Sequence, residues 1–82
     1  SRAYLGEDHP SVARVLYEIG VINELLGDPE EALAHFSEAI AILLSNSMDT
    51  HLKTLWTSLS RVQALLGQME DAQSSFNEAE KL

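Results

Sequence analysis

Three adjacent side chains near the start of the chain could bind a metal ion. They are Glu7, Asp8 and His9, and carboxylate oxygens with an imidazole nitrogen are common ligands of divalent cations. The other two histidines, His35 and His51, stand far along the sequence, and the chain has no cysteine. A metal centre needs three or four ligands at regular spacing. We therefore interpret this stretch as a helix cap and predict no metal and no cofactor.

The thirteen acidic residues raise a second chemical question, that of acid–base catalysis by paired carboxylates. Most of them fall at predicted helix starts or on exposed helix faces, where such residues are usually solvated. Examples are Glu30, Glu31, Glu38, Glu70, Asp71 and Glu78. The chain also has no nucleophile motif and no phosphate-binding glycine loop. We predict that it is not an enzyme, and we assign no catalytic residue.

The charge balance restricts the possible partners. Thirteen acidic against five basic residues give a net charge of −8, which repels nucleic acid and anionic lipid surfaces. The longest apolar run, residues 39–44, is far shorter than a membrane span. The lack of cysteine fits a reducing compartment, so we expect a cytoplasmic protein with protein or peptide partners. Because the first residue is Ser1, we also expect a fragment of a longer protein.

The sequence contains an internal repeat, which determines the helices that carry these residues. Four residues recur 40 positions later: Gly27 as Gly67, Ala32 as Ala72, Phe36 as Phe76 and Ala39 as Ala79. Self-similarity at a fixed period of this length is typical of repeat proteins. No linker-like or low-complexity tract divides the chain. We predict one domain with two copies of one unit.

Apolar residues at spacings of three and four predict four helices, over about 10–26, 29–45, 50–66 and 69 to the end. No stretch alternates with the period of two that a strand requires. Shifted by 40, residues 1–8 align with the end of the second helix, so we expect them to end a preceding helix. The predicted apolar face of the first helix consists of Val12, Val15, Leu16, Ile19, Ile22 and Leu26.

Residues at the helix ends carry the turn signals. Gly27 and Gly67 are expected to end the first and third helices in the left-handed conformation that glycine adopts without strain. Asp28 is expected to cap the second helix in a capping box with Glu31, ahead of Pro29. We expect further caps from Asp8 and His9 before the first helix and from Ser47 or Asp49 before the third.

In both units the pattern of large and small residues resembles the tetratricopeptide repeat. Trp56 lies where that family has its tryptophan, whereas Asn23 and Gln63 replace its tyrosine. The other matching positions are Leu16, Ile19, Gly20, Gly27, Ala32, Phe36 and Ala39 in the first unit, and Leu59, Ser60, Gly67, Ala72, Phe76 and Ala79 in the second. The 40-residue spacing and the connector over residues 5–13 more specifically resemble the long repeats of kinesin light chain.

This resemblance implies an all-α fold in which antiparallel helix hairpins stack as a right-handed α-solenoid. The single domain, 1–82, would contain an N-terminal helix stub over 1–8, one repeat over 9–45 and a second over 46–82. In each hairpin a small residue of the first helix, Gly20 or Ser60, would meet Ala32 or Ala72 of the second at a close crossing. Phe36 or Phe76 would fill the space beside that crossing.

The resemblance also implies a binding surface, the concave groove lined by the first helix of each unit. Here the groove positions are Arg14, Tyr17, Val21, Glu24, Thr54, Thr57, Arg61 and Ala64, with Leu25 and Leu65 at its edge. Two of the five basic residues lie there, which favours a peptide with an acidic and an apolar group. The alternative is that both arginines are simply solvated. We predict a protein-interaction scaffold that binds a peptide in this groove.

A structural or self-association module is the alternative function. Two units are fewer than such stacks usually contain, so an open apolar edge at the first helix would favour a homodimer. The far end differs, because Leu33 and Ile40 are replaced by Gln73 and Glu80 in the second unit. A polar outer face is typical of a terminal repeat.

Overall fold

The computed structural model describes residues 9–82, which form four α-helices and, within that range, no strand. The helices are α1 (Pro10–Leu25), α2 (Pro29–Ser45), α3 (Leu52–Leu65) and α4 (Met69–Glu80). The predicted all-α class is confirmed, and the predicted bounds agree to within about two residues. Glu7 and Asp8, and the helix end expected over 1–8, lie outside the described residues.

Each helix packs against the next in chain order, so the molecule consists of two helical hairpins. The first is α1 with α2, the second is α3 with α4, and the two hairpins meet where α2 packs on α3. The main core lies at this junction and contains most of the large buried side chains. It includes Phe36, Ile40, Ile42 and Leu43 of α2, and Leu52, Leu55, Leu59 and Val62 of α3.

The helix starts agree only in part with the predicted caps. His9 is the N-cap of α1, and its Nδ1 accepts a hydrogen bond from the Ser11 N–H at 3.1 Å. Asp28 holds the N-cap position of α2, but its side chain makes no capping hydrogen bond, so the predicted capping box is wrong. The reason is the backbone: its ψ of 71° lies outside the extended region from which a cap side chain reaches the first turn.

The two glycine ends are confirmed. Gly27 and Gly67 have φ values of +81° and +83°, where only glycine avoids strain. The N–H of Gly27 donates to the carbonyl of Glu24 at 3.0 Å, and that of Asp28 to the carbonyl of Asn23 at 2.8 Å. This pair of bonds is the Schellman motif. It satisfies carbonyl groups that the helix end would otherwise leave unpaired.

Ser47 closes α2 in the same way, although it is not glycine. Its φ is +54°, its N–H donates to Leu44 at 3.1 Å, and the Met48 N–H donates to Leu43 at 2.9 Å. The prediction that Ser47 or Asp49 caps α3 is therefore wrong. His51 holds the N-cap position of α3, with a φ of +67° and no side-chain capping bond.

Close helix crossings occur in both hairpins, as predicted. In the first, a Cβ atom on Gly20 would lie 2.6 Å from Cε1 of Phe36, so the ring occupies the space that a larger residue would need. In the second, Ser60 Oγ donates to the Ala72 carbonyl oxygen at 2.8 Å. The small residue is therefore a steric requirement in one hairpin and a hydrogen-bond donor in the other.

A second pair of equivalent contacts uses the positions where the tetratricopeptide pattern has tyrosine. The His35 Nδ1–H donates to Asn23 Oδ1 at 2.9 Å in the first hairpin. At the positions 40 residues later, Ser75 Oγ donates to Gln63 Oε1 at 2.6 Å. Each hairpin thus joins its two helices through a side-chain hydrogen bond where an aromatic ring was expected.

One side of α1 is exposed, and one prediction about burial is wrong. We define the outer α1 stripe as Val15, Ile19, Ile22 and Leu26, members of the predicted apolar face that are 37% to 76% exposed. Among the described helices, α1 packs closely only on α2, so only one side of it is covered. Phe76, expected to fill its hairpin as Phe36 does, is 44% exposed, so that prediction is wrong.

Candidate functional site

A cleft of about 410 Å³ lies between the first helices of the two units. It is formed by α1 and α3, with one residue from α2 and one from the connector before α3. Its lining consists of Pro10, Ala13, Arg14, Tyr17, Glu18, Leu43, His51, Thr54 and Leu55. Three of the eight predicted groove residues, Arg14, Tyr17 and Thr54, are therefore brought together in one concavity.

The lining has an apolar interior and a polar edge. Ala13, Leu43 and Leu55 are buried, and Tyr17 packs on Phe36 with ring centroids 5.8 Å apart and planes inclined by 38°. Tilted aromatic pairs at this distance are favourable and hold both rings in place. The cleft therefore rests on the core of the first hairpin, and its shape does not depend on a loop alone.

Arg14 contributes the most accessible positive charge of the cleft. Its side chain is 77% exposed, and its Nε lies 3.4 Å from Oε2 of Glu18, one helical turn further on. Exposed ion pairs at this spacing on a helix contribute little to stability and exchange readily with solvent. The guanidinium is therefore free to take another partner at small cost.

Arg61, the second predicted groove arginine, is held much more firmly. Its Nε donates to Glu24 Oε2 at 2.8 Å and its Nη2 donates to Glu24 Oε1 at 2.7 Å. The Glu24 side chain is only 15% exposed. The hydrogen bonds that Arg61 donates to Glu24 raise the pKa of Arg61 above its ordinary value, so Arg61 keeps its charge at every usual pH. This bidentate pair joins α1 to α3 and neutralises Arg61.

The remaining predicted groove residues lie along the same two helices outside the cleft. Val21 is half-buried and packs against the core. Thr57 is exposed and its hydroxyl donates to the Lys53 carbonyl oxygen at 2.8 Å, and Ala64 is exposed. Leu25 and Leu65, expected at the groove edge, are both exposed. The assignment of all eight residues to ligand binding stays a prediction.

Sequence reasoning missed several residues of the cleft. Ala13 and the two leucines of the lining are core residues that also reach its surface, and their type gives no sign of this second role. Pro10 and His51 belong to helix starts, and the αL backbone of His51 has no sequence signal comparable to a glycine. Glu18 could have been found, because it lies one helical turn from Arg14.

The described residues contain neither a cluster of metal ligands nor a membrane-spanning helix. Among residues 9–82, no three histidine, cysteine or acidic side chains are grouped so that they could hold a metal ion. In that range, no helix combines the length and the apolar character needed to cross a bilayer.

The fold and the shared face of α1 and α3 define a helical-hairpin repeat protein. The family of tetratricopeptide repeats matches residues 1–45, which is more than half of the 82 residues. The chain therefore belongs to the tetratricopeptide repeat family, whose members generally mediate protein–protein interactions on a non-enzymatic scaffold. The likeness to the long kinesin light chain repeats stays a prediction. The search of curated proteins and the search of solved structures found no match.

Proposed function

We propose that this chain is a non-enzymatic interaction module that binds an extended segment of a partner protein along the shared face of α1 and α3. The observation that supports this most is the cleft of about 410 Å³ between equivalent helices of the two units. Ligand sites are typically concave, mostly apolar and edged by a few polar groups. The lining described above has these properties, and the net charge of −8 favours a protein ligand over nucleic acid.

The domain organisation belongs to the same proposal. One domain spans 1–82, with the first repeat over 9–45 and the second over 46–82. The ligand is a peptide with an apolar group for the cleft and an acidic group for an arginine. The absence of cysteine from all 82 residues supports a cytoplasmic setting.

This function can be tested by selecting peptides that bind the chain from a random library displayed on phage. The selected peptides are then titrated into the ¹⁵N-labelled chain, and we expect the amide resonances of Tyr17, Thr54 and Thr57 to shift. The double variant Arg14→Ala plus Arg61→Ala should bind at least about fivefold more weakly, which corresponds to about 1 kcal/mol. Peptides that shift only residues of α4, or equal affinity for wild type and double variant, would contradict the proposal.

A control outside the groove keeps that experiment interpretable. Lys81→Ala removes one positive charge at the end of α4, where Lys81 pairs with Glu78 at 3.2 Å. This variant should bind the selected peptides as the wild type does. Circular dichroism of each variant checks that a loss of affinity does not come from a loss of helix.

Self-association is the second candidate function, and the exposed outer α1 stripe favours it. The equivalent positions of Val15, Ile19 and Ile22 in α3 are Leu55, Leu59 and Val62, and all three are buried. They are covered because α3 has a neighbouring helix on each side, α2 and α4, whereas within residues 9–82 α1 packs closely on α2 alone. A second copy of the chain could cover the stripe in the same way.

Light scattering over a concentration series separates this function from the first. If the stripe drives dimerisation, the wild type becomes a dimer as concentration rises, and Ile19→Lys plus Ile22→Lys stays monomeric. Met69→Lys is the control, since Met69 is also an exposed apolar residue but lies on α4. A wild type that remains monomeric at about 1 mM, where even weak complexes form, would exclude self-association and leave the groove as the working surface.

A further inference from the structure

The groove has two ends with different properties, although the sequence places one arginine at each. At the cleft end, Arg14 is exposed and meets Glu18 through a single contact of 3.4 Å. At the other end, Arg61 makes two short hydrogen bonds to Glu24, a carboxylate that is largely covered. An incoming carboxylate gains little from Arg61, because it would have to displace a bidentate partner and leave Glu24 unpaired.

We infer, on the basis of the proposed function, that the ligand is read only at the cleft end, by one apolar side chain followed by one carboxylate. The apolar side chain enters between Ala13, Tyr17 and Leu55. The carboxylate of the adjacent residue binds the Arg14 guanidinium. The Glu24–Arg61 pair closes the other end of the groove and holds α1 against α3.

The cleft is large enough for a large apolar side chain. A volume of about 410 Å³ lies near the lower limit of ligand pockets, which hold roughly 300 to 1,000 Å³. Its buried lining contacts that side chain on several faces, so an aromatic or leucine residue gains more than alanine or serine.

The charges around the cleft limit the ligand to a single acid. Arg14 and His51 can donate to a carboxylate, whereas Glu18 lines the same cleft and the whole chain carries a net charge of −8. One carboxylate next to Arg14 replaces Glu18 as its partner. Additional acidic residues in the ligand meet the negative field of the protein and are repelled.

Short capped peptides test this inference directly. The probe is a Gly-Ser hexapeptide that carries one Phe followed by one Asp. Matched versions replace Phe by Ser, Asp by Asn or Asp by Lys, or place three Asp residues after Phe. Titration to about 5 mM, monitored by the amide resonances of the ¹⁵N-labelled chain, detects the weak binding expected of so small a ligand.

We expect the Phe-Asp peptide to shift Ala13, Tyr17 and Thr54. The Asn version should bind about threefold more weakly, the Lys and triple-Asp versions more weakly still, and the Ser version should not shift these residues. Arg14→Gln should abolish the difference between Asp and Asn, Glu18→Gln should increase it, and Lys81→Gln should leave it unchanged. Intact helix content in each variant, measured by circular dichroism, excludes an effect of unfolding.

Three results would overturn the inference. They are equal binding of the Asp and Asn peptides, stronger binding of the Lys or triple-Asp peptide, and no shift in the cleft with any peptide. Library peptides that shift Val21, Thr57 and Ala64 but not the cleft would refute this subsite while leaving the proposed function in place. Library selection that yields no groove ligand at all would instead refute the proposed function.

Discussion

The two hairpins have the same plan at a spacing of 40 residues, yet their equivalent phenylalanines differ in burial. Phe36 is fully buried, while Phe76, at the equivalent position, is 44% exposed. The difference lies in the neighbours, because α2 packs against α1 and α3, whereas α4 packs closely against only one of the described helices, α3. Burial in this fold is therefore a property of a residue's place in the stack as much as of its own unit.

Replacing the two equivalent phenylalanines should produce the largest difference in stability between the hairpins. Phe36→Ala should lower the free energy of unfolding by about 3–5 kcal/mol, because it removes a fully buried ring. Phe76→Ala should cost less than about half as much, since its ring is partly solvated. Thermal and urea unfolding of both variants measures the difference. Equal costs would show that the second hairpin is covered as well as the first.

The alanines at the helix crossings should show a smaller contrast of the same sign. Ala32, which is 0% exposed, has no space for extra carbons, so Ala32→Leu should overpack the crossing and cost about 1–3 kcal/mol. Ala72→Leu should cost less, because α4 has open space beside it and can shift outward. Urea unfolding compares the two, and an unaffected Ala32→Leu protein would remove Ala32 from the crossing.

Substitution of the glycines that end α1 and α3 should cost the same stability in both hairpins. Nothing lies within 4 Å of a Cβ atom at Gly27 or Gly67, and both have positive φ. Each substitution to alanine should therefore cost about 1 kcal/mol from backbone strain alone. Equal melting-temperature losses are expected for the two variants. A clearly larger loss at Gly27 would mean that neighbouring units also constrain these turns.

The smallest expected effect concerns the pair that joins the two hairpins. A double-mutant cycle with Glu24→Gln and Arg61→Gln should give a coupling of about 0.5–1 kcal/mol, because Arg61 is half-exposed and solvent screens the pair. The coupling should persist above pH 9, since the pKa of Arg61 is raised and the group loses its proton only at much higher pH. Zero coupling would show that the pair does not hold α1 against α3.

The sequence predicted those parts of the fold that depend on nearby residues. Gly27, Pro10 and Pro29 act within one turn of themselves, so the helix bounds could be placed from local signals. The small residue at Gly20 could also be interpreted, because its partner Phe36 belongs to the same hairpin. Ser47 could not, since non-glycine residues adopt its left-handed backbone only when the surrounding structure requires it.

The candidate site depends more on contacts between residues far apart in the sequence. A smaller part of it could therefore be predicted than of the fold. Arg14, Tyr17 and Thr54 were placed on the correct face through the family resemblance. Arg61 was placed there too, but its partner Glu24 lies 37 residues earlier, and no local pattern indicates that pair. The pattern around Ile19 left its burial open for a related reason: an apolar helix face shows that a residue can be buried, whereas the neighbouring helix decides whether it is.

The order of the helices also affects how the molecule opens. Because α2 and α3 each lie between two other described helices, their amide protons should exchange with solvent only when a neighbouring helix separates or the whole chain unfolds. Amides of α4 need only the loss of its contact surface with α3. Protection against exchange should therefore fall from α2 and α3 towards α4, which lines no part of the cleft and can unfold without disturbing it.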